Sequence, residues 1–184
     1  MSEWSKKRKV IRHYDRIARI YDRQYAEEQN AKIDAILSHL CLDEKSFVLD
    51  VGCGTGIIFH VTAKVQSIIG VDTSSKLLQK AKQYAKKFSN AHIVWADSDY
   101  LPFQNSAFNV VFAITLLQNI PNPSATLEEI RRTSKREAII AVTALKKEFS
   151  KENFTKLLKN AKLEILTMKT DDKLKDYIAI CQVQ

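Results

Sequence analysis

The sequence predicts an α/β fold: a doubly wound, mostly parallel seven-stranded sheet that ends in an antiparallel hairpin. Three observations carry that expectation. Short apolar runs at 47–49, 67–72, 91–96, 108–115 and 137–144 alternate with stretches of helical spacing, the pattern of strands joined by crossover helices. Three of the four glycines, Gly52, Gly54 and Gly56, stand in alternation directly after the first run. The last two runs, 163–168 and 177–183, are linked by a short polar turn at Asp171, Asp172 and Lys173, so they pair antiparallel.

The bulk numbers agree with one domain spanning residues 1–184. That length can bury a substantial core, and 45% hydrophobic with 27% charged residues is ordinary for a globular protein. No apolar stretch is long enough to cross a bilayer, and the basic N-terminus lacks the apolar segment of a secretory signal. Cys41, Cys53 and Cys181 are odd in number and far apart, which suits neither a disulfide framework nor a zinc motif. A reduced, cytoplasmic protein with no metal site is expected. The net charge of +8 favours a polyanionic partner, nucleic acid first, over a merely solvated lysine-rich surface.

Residues 1–44 read as a helical segment ahead of the sheet. Tyr14, Ile17, Ala18, Tyr21 and Tyr25 recur at the spacing of one helix stripe, with Arg12, Arg16, Arg19 and Arg23 threaded between them. Such a stripe packs on the core or forms a lid whose tyrosines close over a ligand; the two are compatible. A second amphipathic stretch carries Ile33, Ile36, Leu37 and Leu40.

Glycine costs conformational entropy and is kept where φ must be positive or another group approaches the backbone closely. A buried strand, a tight turn and a helix whose first amides face a crevice account for three glycines in alternation. Gly70 marks a close approach within the second strand. Asp72, at the tip of that strand and about twenty residues past Gly52, is placed to accept hydrogen bonds from both hydroxyls of a ribose.

Thr73, Ser74 and Ser75 can cap the next helix, whose core face is Leu77, Leu78, Ala81, Ala85 and Phe88. The third strand closes on Asp97, Ser98 and Asp99. The fourth is apolar without interruption, as the middle of a parallel sheet requires. Asn122 caps a helix with Pro123 in its first turn, and Phe149 with Phe154 staples another around Ser150.

The spacing G-x-G-x-G lacks the glycine that a dinucleotide fingerprint places three residues after the second, and Asp50 would repel a pyrophosphate. A carboxylate there suits the cationic amino group of a methionine moiety, as in S-adenosylmethionine. With VLDVGCGTG at 48–56, Asp72, Ala96-Asp97, Leu101-Pro102-Phe103 and the YDxIAxxYDxxY stretch at 14–25, the chain resembles the class I S-adenosylmethionine-dependent methyltransferases. The match is to the type 11 group, which includes ubiquinone-type C-methyltransferases and several RNA-modification enzymes.

That resemblance implies a Rossmann-like methyltransferase fold and roles by position. Asp50 with Gly52, Cys53, Gly54, Thr55 and Gly56 would hold the methionine part, Asp72 the ribose, and Asp97 with Ser98 the adenine amino group, with Thr73 also in the cofactor site. Ile114 and Thr115 would offer backbone near the sulfonium, and Tyr14 and Tyr21 would close the lid.

Methyl transfer needs alignment and exclusion of water more than a general base, so the lack of a Ser-His-Asp or Cys-His arrangement does not exclude an enzyme. The acceptor is expected at the carboxyl end of the fourth strand, in 115–121, with Gln118 and Asn119 as candidate catalytic residues. They do not form the Asn/Asp-Pro-Pro-Tyr motif of amino-directed methyltransferases. A polar loop that merely caps the next helix is the alternative. One expected acceptor is an RNA base held by the basic surface, with a small zinc-binding activator protein as partner. The other is a small apolar molecule such as a quinone precursor, in a pocket of Phe103, Leu116, Leu117 and Ile120. A non-catalytic cofactor-binding subunit is a third reading.

Overall fold

Apolar side chains on both faces of the central strands build a three-layer molecule. A computed structural model describes residues 2–184. Its strands are β1 (Phe47–Val51), β2 (Ser67–Asp72), β3 (Ala91–Trp95), β4 (Phe108–Ala113), β5 (Ser134–Leu145), β6 (Leu163–Lys169) and β7 (Asp176–Val183). They form one sheet in the order β3-β2-β1-β4-β5-β7-β6, parallel from β3 to β5, with β7 antiparallel to both neighbours. The expected seven strands and terminal hairpin are present.

The helices are α1 (Glu3–Ile17), α2 (Tyr21–Leu37), α3 (Ser75–Ala85), α4 (Pro123–Thr133) and α5 (Lys151–Asn160). On one face, Val48, Phe112 and Ile178 pack against Ile33 and Ile36 of α2 and Ala81 of α3. On the other, Leu49, Val111 and Val142 pack against Leu127 and Ile130 of α4 and Phe154 and Leu158 of α5. Ser74, Asn122 and Ser150 cap their helices by accepting from the amides of Leu77, Ala125 and Asn153 at 3.2, 3.3 and 3.1 Å. No helix among the described residues is long and apolar enough to cross a membrane.

Three expectations need correction. The helix after the Gly-rich turn is a 3-10 helix, Ile57–Lys64. Ile57, Ile58, Val61 and Thr62 are β-branched, which weakens α-helical preference there. The tyrosine stripe does not lie on one helix, because the chain turns at Ala18–Ile20 and α2 begins at Tyr21. Buried Ala18 anchors that turn, and Ile20 N–H donates to the Ile17 carbonyl at 2.9 Å. The fourth strand stops at Ala113, two residues short of expectation, as Thr115 turns to φ 57.

Candidate active site

The sheet order reverses between β1 and β4, and a crevice opens at the carboxyl ends of strands flanking such a point. A cavity of about 740 Å³, counted with its open mouth, lies there. Gly52 and Gly54 form its floor beyond β1, with φ of 80° and 55°. Asp72 and Thr73 come from the tip of β2, Asp97 and Ser98 from the tip of β3. Ile114, Thr115, Leu116, Asn119 and Ile120 follow β4. Lys7, Val10, Ile11 and Tyr14 of α1, with Tyr21 of α2, roof it over.

The turn between the first two helices brings Tyr14 and Tyr21 to the same cavity, ring centroids 6.0 Å apart and edge to face. Burial raises both phenol pKa values above the ordinary range. The roof is lightly fastened: α1 contributes no buried residue. Polar ties hold it instead. Asp15 Oδ1 accepts from Ser74 Oγ at 2.7 Å, and Lys7 reaches Asp97 and Asp99 at 2.6 and 2.5 Å. Burial works against the Lys7 charge, yet these carboxylates raise its pKa above the usual lysine value.

Asp72 Oδ2 accepts from Gly54 N–H at 2.9 Å and Oδ1 from Ser74 N–H at 2.8 Å, which fixes its carboxylate at the cavity wall. Burial raises its pKa, partly offset by these amides. Asp50, 5% exposed, stands behind the wall; burial, with the charge of Asp72 adding, pushes it up to about 8.

Of the residues named from sequence, Tyr14, Tyr21, Gly52, Gly54, Asp72, Thr73, Asp97, Ser98, Ile114, Thr115 and Asn119 line the cavity. Asp50, Cys53, Thr55, Gly56 and Gln118 do not. Thr55 Oγ1 donates to Asp22 Oδ1 at 2.6 Å, and a Cβ on Gly56 would lie 2.6 Å from the Phe59 ring, so both serve the packing of the turn. Gln118 turns inward, its Oε1 buried without a hydrogen-bond partner. In the expected apolar pocket, Leu116 and Ile120 reach the wall, whereas Leu117 is core and Phe103 packs against the core. Sequence reasoning missed Lys7, Val10 and Ile11, which differ from any amphipathic helix face by nothing but their position over the cleft.

It also missed Lys32. This α2 lysine is fully buried, 2.5 Å from the equally buried Asp176 at the start of β7 and 2.9 Å from Glu28. Breaking such a pair by removing one partner costs of order 3–5 kcal/mol.

The cavity fits an adenosine joined to a cationic amino acid. Two strand-tip carboxylates stand at it, and Gly54 offers open space, since a Cβ there would meet nothing nearer than the Tyr21 ring at 3.9 Å.

Comparison with known proteins agrees. The profile of a family described as methyltransferase domain matches residues 42–179. A malonyl-[acyl-carrier protein] O-methyltransferase of Marinomonas sp. is 28% identical over 79% of this chain and 54% of its own. A demethylmenaquinone methyltransferase of Staphylococcus saprophyticus is 29% identical over 69% of this chain and 55% of its own. The chain thus spans about half the length of the curated relatives it matches. Among solved structures, a chain of the complex between the Haloferax volcanii Trm112 methyltransferase activator and a methyltransferase superposes with a TM-score of 0.80 at 15% identity, covering 92% of this chain and 97% of that one. A family match over most of the sequence, on a fold whose cleft stands where the cofactor S-adenosylmethionine is expected, places this chain in the methyltransferase-domain family.

Proposed function

We propose that the chain transfers a methyl group from S-adenosylmethionine to RNA. The observation that carries this reading is a nucleoside-sized cleft roofed by a basic helix. α1 packs on α3, and exposed Lys6, Arg8, Lys9 and Arg12 of the first share the molecule's surface with Lys76 and Lys82 of the second and with Lys86 and Lys87 just past its end. Such a surface suits phosphates, while an unstacked base enters the cleft.

When bound, S-adenosylmethionine supplies a methyl group activated by its sulfonium. The work of the residues is binding and alignment. Asp72, already oriented by the Gly54 and Ser74 amides, accepts from the ribose hydroxyls, with Thr73 beside it. Asp97 and Ser98 take the adenine amino group, and Asp50, behind Gly52, releases its proton to solvent and balances the methionine ammonium once that group is bound. Ile114 and Thr115 bound the reacting end, Asn119 orients the acceptor, and Tyr14 and Tyr21 exclude water. Such an RNA enzyme belongs in the cytoplasm.

A small activator protein fits the same reading. β3 is an edge strand with one side of its backbone unpaired and Trp95 75% exposed, an arrangement open to strand addition. The fold likeness to the Haloferax volcanii methyltransferase solved with Trm112 points the same way. A small apolar acceptor is the second reading, favoured by Val10, Ile11, Leu116 and Ile120 on the cavity wall and by the demethylmenaquinone relative.

The test is incubation with methyl-labelled S-adenosylmethionine and fractionated cellular RNA, protein and lipid. Label in RNA, with binding that weakens steeply as salt is added, supports the first reading. Label in lipid, indifferent to salt, replaces it with the second.

A further inference from the structure

Thr115 is held at φ 57, the one β-branched residue with positive φ among those described. Left-handed backbone is unfavourable for such a side chain and persists where the surroundings over-determine it. Every polar group of Thr115 is engaged. Its N–H donates to Thr143 Oγ1 at 2.8 Å, and its carbonyl accepts from Asn119 Nδ2 at 2.8 Å. Its hydroxyl donates to Gln29 Oε1 at 3.1 Å and accepts from Lys32 Nζ at 3.0 Å. Three oxygens surround the Lys32 ammonium: Thr115 Oγ1, to which it donates, and the carboxylate oxygens Glu28 Oε1 and Asp176 Oδ2, whose tie to it is ionic, since neither buried oxygen of Asp176 accepts a hydrogen bond. Packing alone does not call for a buried charge pair, because apolar side chains of like volume fill such a site without the desolvation cost.

We propose that Lys32 is a positioning residue for methyl transfer. Braced by Asp176 and Glu28, it holds Thr115 in the left-handed conformation, and Thr115 holds Asn119 against the cavity. The functional half of this inference rests on the methyltransferase reading; the clamp itself is a statement about conformation.

The double variant Lys32→Met/Asp176→Leu replaces the charge pair with apolar side chains of similar size. Thr115→Val severs the hydroxyl from Lys32 and leaves the pair whole. Crystal structures, thermal unfolding, calorimetry with S-adenosylhomocysteine and label transfer from S-adenosylmethionine to bulk cellular RNA are compared with the parent. In both variants Asn119 is expected to shift, and in the double variant Thr115 relaxes to negative φ. Unfolding midpoints stay within a few degrees. Because Thr115 borders the cofactor, S-adenosylhomocysteine affinity and KM for S-adenosylmethionine shift with it, but kcat falls at least about tenfold further than either. Thr115 and Asn119 unmoved in the variants, or a parental kcat in Thr115→Val, would overturn the proposal. Should the double variant not fold, Thr115→Val decides alone. Should the parent take up no S-adenosylhomocysteine, the methyltransferase reading falls, and the variant structures still decide the clamp.

Discussion

The Lys7 ammonium lies 2.7 and 2.6 Å from the two carboxylate oxygens of Asp97. A residue from the first turns of the chain thus occupies the strand-tip carboxylate proposed for the adenine amino group. Because α1 buries no residue, this contact is a main restraint on the roof, and roof and ligand compete for one acceptor.

Replacing Lys7 with Met is therefore expected to loosen α1. Chymotrypsin should cut near Trp4 and Tyr14 faster than in the parent, and S-adenosylhomocysteine should associate several-fold faster in stopped flow. Stability should fall by about 1–3 kcal/mol, because Asp97 and Asp99, mostly shielded from water, lose their shared cation. Unchanged cleavage and association rates would show that Lys7 does not latch the roof.

Asp72→Asn removes the charge and leaves one good acceptor for two backbone amides. S-adenosylhomocysteine binding by calorimetry should weaken about 10–100-fold, or roughly 1.4–2.7 kcal/mol, the scale of hydrogen bonds to a charged group. Parental affinity in this variant would remove Asp72 from the site.

The Asp50 carboxyl, at about 8 when folded against about 3.9 in an unfolded chain, makes stability depend on pH. The folded chain keeps this proton where the unfolded chain has lost it, so its contribution to stability falls as pH rises from about 4 to about 8 and is level above. Asp50→Asn lacks that loss. Urea unfolding should show the variant gaining on the parent at each step from pH 5 to pH 8, and a gap that stays constant would refute the assignment.

Two glycines should respond differently to alanine. At Gly70 a Cβ would lie 2.7 Å from the Phe59 ring and 2.9 Å from Cys53 Sγ, so Gly70→Ala should cost about 1–3 kcal/mol by urea unfolding. At Gly54 the cost is the left-handed backbone, about 1–2 kcal/mol, and the added methyl enters the cavity. Gly54→Ala should therefore weaken S-adenosylhomocysteine binding far more than Gly70→Ala does. Equal effects on binding would mean the floor of the cavity lies elsewhere.

Local signals explain which parts were legible in the sequence. Strand alternation, the three glycines and Asp72 act within a few residues of one another, and each has a physical reason readable from the residue type alone. The caps at Ser74, Asn122 and Ser150 are of the same kind. The break between α1 and α2 carries no glycine, proline or asparagine; packing of Ala18 makes it, and packing is not local. Gln118 and Asn119 are adjacent polar residues whose fates separate in one 3-10 turn, Asn119 toward the cavity and Gln118 away. Lys32 reads as an ordinary solvated lysine until the partner 144 positions later, Asp176, is brought against it.

That long-range pair decides where the chain tolerates trimming. Cutting ahead of Tyr21 would strip off a helix that shields little and leave the remaining body whole. Cutting at residue 42, where the family profile begins, would instead take away Lys32 together with Ile33 and Ile36, leaving Asp176 without its cation and baring the sheet face that α2 covers. The shortest piece expected to keep its shape therefore starts well upstream of the region that marks its kinship.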